Sequence, residues 1–205
     1  MDFPTVNADV LRPAANEEGL TIQGLTRIDG WIEKEEERRL IGLVDVRNWR
    51  NDLKRRVQHF GYLYDYRARS VSPSGHLGPL PEWLAMLAGR LFDQGVFSSE
   101  PDQVIVNEYM PGQGISAHID CVPCFGETIA ILSLGGSVVM TFRCASNDAH
   151  LDMVLPACSL LVLSGPARYG WLHAIPARKA DIIAGVRTQR QRRVSLTFRS
   201  VVTGD

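Results

Sequence analysis

From residue 104 onward the sequence breaks into seven short β-rich runs, at 104–110, 128–134, 138–142, 151–155, 160–163, 171–175 and 194–202, with turn-forming residues between them. Short strands at such close spacing specify a sandwich or barrel rather than a parallel sheet threaded by helices. Upstream, residues 33–48 begin with acids and carry Leu40, Ile41, Leu43 and Val44. That is the pattern of an amphipathic helix whose acidic first turn suits the helix dipole. A second helix is expected to begin at Pro81, a favoured first-turn residue, to present Leu84, Met86, Leu87 and Leu91, and to end near Gln94-Gly95. Two helices ahead of the strands would back one sheet. The expected fold class is therefore mainly β with flanking helices (α+β).

The 205 residues suffice for one well-buried domain, and no repeat, low-complexity stretch or linker divides them. A single domain over 1–205 is expected. It would have a lead-in over 1–30 containing a short strand, Thr21–Ile28, and a core over 104–202. With 45% hydrophobic and 22% charged residues, the chain is not of the disordered, collagen-like or coiled-coil kind. The net charge of -1 hides a segregation: residues 61–159 carry ten acids and four bases, residues 160–205 eight bases and two acids. The start, MDFPTVNADVLRP, has acids and a proline where a secretory leader has bases and an apolar run. No run approaches the roughly 20 apolar residues of a membrane helix. Four unevenly spaced cysteines do not resemble a disulfide framework. The expectation is a cytoplasmic chain, with access to nucleoid or nucleus if DNA is its substrate, monomeric and without membrane contact.

His118-Ile119-Asp120 is the first chemical signal. In extended backbone, residues two apart point the same way, so imidazole and carboxylate can converge on one ion. His173, within the run 171–175, is the candidate third ligand. Two histidines and a carboxylate on a β-scaffold match the facial triad of non-haem Fe(II) oxygenases. His59, His76 and His150 sit in loops or polar segments and read as solvated. The second signal is the alternating strand 193–199, with Arg193, Ser195, Thr197 and Arg199 on one face and Val194, Leu196 and Phe198 on the other. Two guanidinium groups on an interior strand are costly unless an anion meets them, and their fork geometry fits a dicarboxylate. Arg187, Arg190 and Arg192 read as solvated surface charges.

Taken in order, Asn107-Glu108-Tyr109, His118-Ile119-Asp120, His173 and Arg193-x-Ser195-x-Thr197-x-Arg199 resemble the AlkB family of Fe(II)/2-oxoglutarate dioxygenases, as do the surrounding VNEYMPGQGISAHID, ILSLGGSVVMTF and SGPARYGWLHAIPARK. The resemblance covers about residues 55–202. It implies a double-stranded β-helix (jelly roll), with His118, Asp120 and His173 as the catalytic iron ligands. Asn107, Tyr109, Arg193, Ser195, Thr197 and Arg199 would hold the co-substrate 2-oxoglutarate, with Arg193 at its distal carboxylate and Arg199 nearer the iron-chelating end. Ser195 departs from the pattern, standing where many members have asparagine. The activity implied consumes 2-oxoglutarate and O2, and hydroxylates a substrate C–H bond.

The resemblance also places a nucleotide-recognition lid at about 55–80. There arginines alternate with Phe60, Tyr62, Tyr64 and Tyr66, the last three expected on one strand face. Tyr62, Tyr64, Arg67 and Trp171 are the candidate substrate contacts. Val122 stands where the family's DNA-repair archetype has an acid, and the wording is closer to the branch containing tRNA wobble-uridine hydroxylases and standalone bacterial proteins. The expected partner is a nucleic acid, either alkylated DNA or RNA, or tRNA. Removal of alkyl or etheno adducts from bases is favoured by the short chain. Hydroxylation of a modified tRNA wobble uridine is the alternative, and a non-catalytic jelly-roll binding module the second. Cys121-x-x-Cys124 lacks the second pair a zinc site needs and reads as structural thiols.

Overall fold

The alternating and apolar runs of the core pair into two facing sheets in a computed structural model of the chain, which describes residues 13–15, 21–51 and 53–202. Much of the expected lead-in, at 1–12 and 16–20, lies outside the described residues. In chain order the elements are β1 (Pro13–Ala15), β2 (Thr21–Ile28), α1 (Lys34–Asp45), β3 (Val57–Phe60), β4 (Tyr62–Asp65), β5 (Ser70–His76), α2 (Glu82–Asp93), β6 (Gln103–Tyr109), β7 (Ile115–His118), β8 (Phe125–Gly135), β9 (Val138–Cys144), β10 (His150–Leu155), β11 (Leu160–Leu163), α3 (Gly165–Gly170), β12 (Trp171–Ile175), β13 (Ala180–Ile183), β14 (Val186–Gln189) and β15 (Arg193–Val201). The larger sheet has the order β1-β2-β11-β8-β15-β6-β3, the smaller β10-β9-β12-β7, and β4-β5 and β13-β14 are separate hairpins. This is the expected mainly β jelly roll with helices on one side.

Period-two alternation divides each central strand between two cores. Val194, Leu196 and Phe198 of β15 face outward and pack with Leu40 and Val44 of α1 and Leu84, Leu87 and Leu91 of α2. Each such side chain, fully buried, contributes roughly 1.5–3 kcal/mol. The second core fills the space between the sheets with Ile129, Ile131, Met140, Phe142 and Leu161. Met86 belongs to neither: it is 52% exposed, because one residue's rotation on a helix carries it off the 84–87–91 stripe. Pro81 caps α2 from just outside rather than opening its first turn. Glu37, in the acidic turn of α1, accepts the Gly135 N–H at 2.7 Å and pairs with Lys34, which fastens the helix to the end of β8.

The basic tail is largely engaged internally, contrary to the reading of Arg190 and Arg192 as solvated. Arg190 is buried, donating to both Asp181 oxygens at 2.7 and 2.8 Å and to the Pro176 carbonyl. Arg192 pairs with Glu108 and Asp45, and Arg56 with Glu108 at 2.6 Å. Asp181 comes from nine residues back across the β13–β14 hairpin, and Glu108 and Asp45 from 84 and 147 residues away, so spacing alone does not reveal them. Arg187 is exposed, as expected. No helix among the described residues is long and apolar enough to cross a membrane.

Candidate active site

His118 ends β7 and His173 sits in β12, and the antiparallel register sets them directly opposite each other with ring centroids 4.3 Å apart. Asp120 follows two residues beyond β7, and its carboxylate lies 3.6 Å from His118 Nε2. One ligand atom from each of the three falls within 4.8 Å of the others. His118 Nδ1 is 2.8 Å from the Ser116 carbonyl. A carbonyl only accepts, so Nδ1 carries the proton and Nε2 presents its lone pair.

The electrostatics match a metal. Burial pushes the His173 pKa down to about 4, so the ring is neutral near pH 7, and its Nδ1 is buried without a protein partner. Burial alone would raise the Asp120 pKa, but the Arg199 guanidinium beside it holds it well below the usual carboxylate range. An ionised carboxylate and two neutral imidazoles are the donor set a divalent iron requires. The residues present therefore fit Fe(II).

The facing wall is the inner side of the larger sheet. Ile105, Asn107 and Tyr109 of β6 and Arg193, Ser195, Thr197 and Arg199 of β15 line one cavity of about 900 Å³ with the triad. Within it the two arginines do different work. Arg199 donates to both oxygens of Asp120, at 3.2 and 3.3 Å, and to Gln103. Arg199 was expected nearer the iron-chelating end of the co-substrate; it lines the cavity beside the triad, and its guanidinium pairs there with the carboxylate of Asp120. Arg193 is 2% exposed, donates to Ser133 Oγ at 2.8 Å, stacks over Tyr109, and has its Nε unpartnered. Among the described residues no acid pairs with it, and burial pulls its pKa down to about 10, which leaves it cationic at neutral pH. A buried, under-bonded guanidinium is a socket for a carboxylate, and so fits 2-oxoglutarate.

Asp120 is held at its backbone as well. Arg168 of α3, fully buried, donates to the carbonyls of Asp120 (2.9 Å), Cys121, Phe125 and Gly126 (each 3.3 Å). Nothing in its sequence context sets this arginine apart. The same loop carries a disulfide between Cys121 and Cys124, with Cα atoms 5.3 Å apart. The pair was expected as thiols; a turn over 122–124 brings the two sulfurs together, which spacing does not disclose.

The substrate candidates divide. Tyr64 lines the cavity, edge-on to Tyr66 at 5.1 Å and beside Phe125. Tyr62 is outside the lining and packs on His76, because an irregularity in the β4–β5 register between Tyr62 and Tyr64 breaks the alternation. Arg67 is exposed in a turn whose amides Asp65 caps, away from the lining. Trp171 packs on the inner core, also outside the lining. Arg55, Tyr66 and Arg69 of the expected lid line the cavity as well, and so do Lys54 and Leu172, which were not anticipated. Arg55 Nε donates to Asn107 Oδ1 at 2.9 Å. His59 is not the loop residue expected: it lies in β3, beside Tyr66.

A facial triad between jelly-roll sheets, opposite a buried arginine, defines a non-haem iron oxygenase. The chain matches the model of the 2OG-Fe(II) oxygenase superfamily over residues 34–199 and belongs to it. Within that superfamily it is an AlkB-family enzyme, a 2-oxoglutarate-dependent dioxygenase using Fe(II), 2-oxoglutarate and O2. It is 38% identical over 205 residues to the alkylated DNA repair protein ALKBH8 homolog of Arabidopsis thaliana, an alignment covering 89% of this chain and 59% of that protein. It is 36% identical to the mouse tRNA (carboxymethyluridine(34)-5-O)-methyltransferase ALKBH8, over 87% of this chain and 30% of that protein. The chain thus spans only 30% to 59% of the length of these relatives. The solved structure of OsALKBH1 superposes with a TM-score of 0.68 at 17% identity, covering 93% of this chain and 98% of that one.

Proposed function

We propose that the chain oxidises a modified nucleic-acid base, removing an alkyl or etheno adduct. In this reading His118, Asp120 and His173 hold Fe(II), Arg193 holds the distal carboxylate of 2-oxoglutarate, and Asn107, Tyr109, Ser195 and Thr197 complete the wall around it. The observation that carries the reading is the chemistry around the triad: Tyr64 and Tyr66 line the cavity together with Arg55 and Arg69. Aromatic faces take an extruded base, and cations meet the phosphates beside it. A cavity of about 900 Å³ is at the upper end of small-molecule sites and leaves room for a base beside the co-substrate. The recognition lid is then the β4–β5 hairpin rather than all of 55–80, since β3 pairs with β6 in the main sheet.

When bound, iron, 2-oxoglutarate and O2 supply oxidative decarboxylation to succinate and CO2 and hydroxylation of a C–H bond, after which a hydroxylated N-alkyl carbon departs as an aldehyde. The chain supplies geometry and charge. Arg199 keeps Asp120 ionised and both its oxygens oriented, and the Ser116 carbonyl fixes the His118 tautomer. Arg193 offers its free Nε–H and delocalised charge to the dianion. The disulfide turn and the lid hairpin meet at the Arg69 carbonyl, 3.2 Å from Cys121 Sγ.

The mouse relative is named for action on carboxymethyluridine 34 of tRNA, and that tRNA substrate favours a second reading for this chain, hydroxylation of a modified tRNA wobble uridine. Both are tested by succinate release in one panel of methylated and etheno-modified oligonucleotides beside wobble-modified tRNA. Turnover of the lesion oligonucleotides supports adduct removal, and turnover of tRNA alone supports the second reading. Succinate release with protein or small-molecule substrates only would overturn both.

A further inference from the structure

We infer that the substrate end of the cavity selects by charge, taking neutral or anionic modified bases and rejecting cationic ones such as ring-N-methylated adenine or cytosine. The inference deepens the proposed nucleic-acid reading and rests on it. Among the described residues lining the cavity, the charged side chains are Lys54, Arg55, Arg69, Arg193, Arg199 and a single acid, Asp120. Asp120 already lies within hydrogen-bond distance of Arg199 and belongs to the metal site. The two charges of Fe(II) and the two of 2-oxoglutarate cancel. Lys54, Arg55 and Arg69 remain without a carboxylate partner among the described residues, and Lys54 and Arg69 are exposed where solvent reaches the cavity.

A cationic base leaving water for this site would need an anion close by, and among the described residues the lining offers only Asp120, already paired with Arg199. The loop after Asp120 contributes no acid: Val122 is half-exposed, and Cys121 and Cys124 are joined. Asp65, the acid on the lid, accepts the amides of Arg67 and Ala68 at 2.8 and 2.9 Å. The phenol of Tyr66 is buried and its pKa raised chiefly by that burial, so it adds no negative charge near neutrality. Stacking on Tyr64 and Tyr66 accepts any base, whatever its charge. Arg69 is held in place: its φ is +52°, a conformation non-glycine residues seldom adopt, and its carbonyl abuts both disulfide sulfurs.

One like charge at ~8 Å, with an effective dielectric near 20, is worth roughly a 30-fold preference. The test uses one oligonucleotide sequence carrying 3-methylcytosine (cationic), 3-methylthymine (neutral) or 5-carboxymethyluridine (anionic), and reads succinate release and base oxidation as kcat/KM. The expected result is that the neutral or anionic probe exceeds 3-methylcytosine by about 30-fold at low salt. The ratio should shrink at high salt and fall at least tenfold in Arg69→Glu, or in Lys54→Glu should the first variant not fold. Preferred turnover of 3-methylcytosine, or a ratio that neither salt nor the charge reversals move, overturns charge selection while leaving the nucleic-acid reading standing. No turnover of any probe, where a protein or small molecule does release succinate, overturns the nucleic-acid reading itself and the inference with it.

Discussion

Replacing Arg193 by methionine should stabilise the metal-free, co-substrate-free protein while removing its hold on 2-oxoglutarate. In the free protein this guanidinium is 2% exposed, has one hydrogen bond, to Ser133 Oγ, and an unpartnered Nε. Burial pulls its pKa well below the ordinary guanidinium value, to about 10, which corresponds to roughly 3 kcal/mol against folding at pH 7. Methionine relieves that cost and forfeits a hydrogen bond worth about 1 kcal/mol, so a net gain of about 1–2 kcal/mol is expected. For a domain of this size that raises Tm by roughly 2–8 °C. Co-substrate binding should move the other way, because removing one partner of a buried charge pair costs about 2–5 kcal/mol, or roughly 30- to 5,000-fold in affinity. The assays are thermal unfolding of the apoprotein and anaerobic titration of the Fe(II) protein with 2-oxoglutarate, followed by its charge-transfer absorption. Metal affinity should stay near wild type, since the Arg193 side chain bonds to Ser133 and not to the triad, whereas Arg199→Met should lower it. A methionine variant several degrees less stable than wild type, or one binding 2-oxoglutarate within threefold of it, would refute the reasoning.

Three further outcomes are expected. Arg168→Met should weaken Co(II) or Fe(II) binding by about 10- to 100-fold, with partial recovery in Arg168→Lys, because the loop of Asp120 loses four donors; metal affinity within twofold of wild type would assign it a purely structural part. Gly114→Ala should loosen or abolish metal binding, since a Cβ there would sit 2.1 Å from the Ile175 carbonyl and force β7, with His118, away from β12, with His173; a variant titrating with metal like wild type would count against this. The metal-free protein should lose stability as pH falls from 6.5 toward about 4, by roughly 3 kcal/mol, because the unfolded chain binds a proton at His173 that the folded chain refuses. Above pH 6.5 that contribution is fully present. Urea unfolding of wild type and His173→Asn across this range would check it, the variant lacking that component of the decline.

What could be read from the sequence was whatever period-two strands carry. Asn107 and Tyr109, His118, and Arg193 through Arg199 sit on strands whose alternation survives folding, so their shared face follows from spacing. Tyr62 was misjudged by the same rule because a single irregularity in the lid hairpin cancels it. Arg168, Arg190 and Arg192 were opaque for another reason. Their partners lie 42 to 48, 9 and 84 residues away, respectively, and are delivered by strand order, not local pattern. The difference has a functional corollary. Of the basic tail, Arg190 and Arg192 neutralise internal acids, Arg199 orients Asp120, and Arg193 alone of these four has no acid among the described residues. The near-zero net charge therefore arises from paired interiors. Lys54, Arg55 and Arg69 line the cavity without a carboxylate partner among the described residues, so it is the location of the positive charge, and not its total, on which the proposed nucleic-acid reading rests.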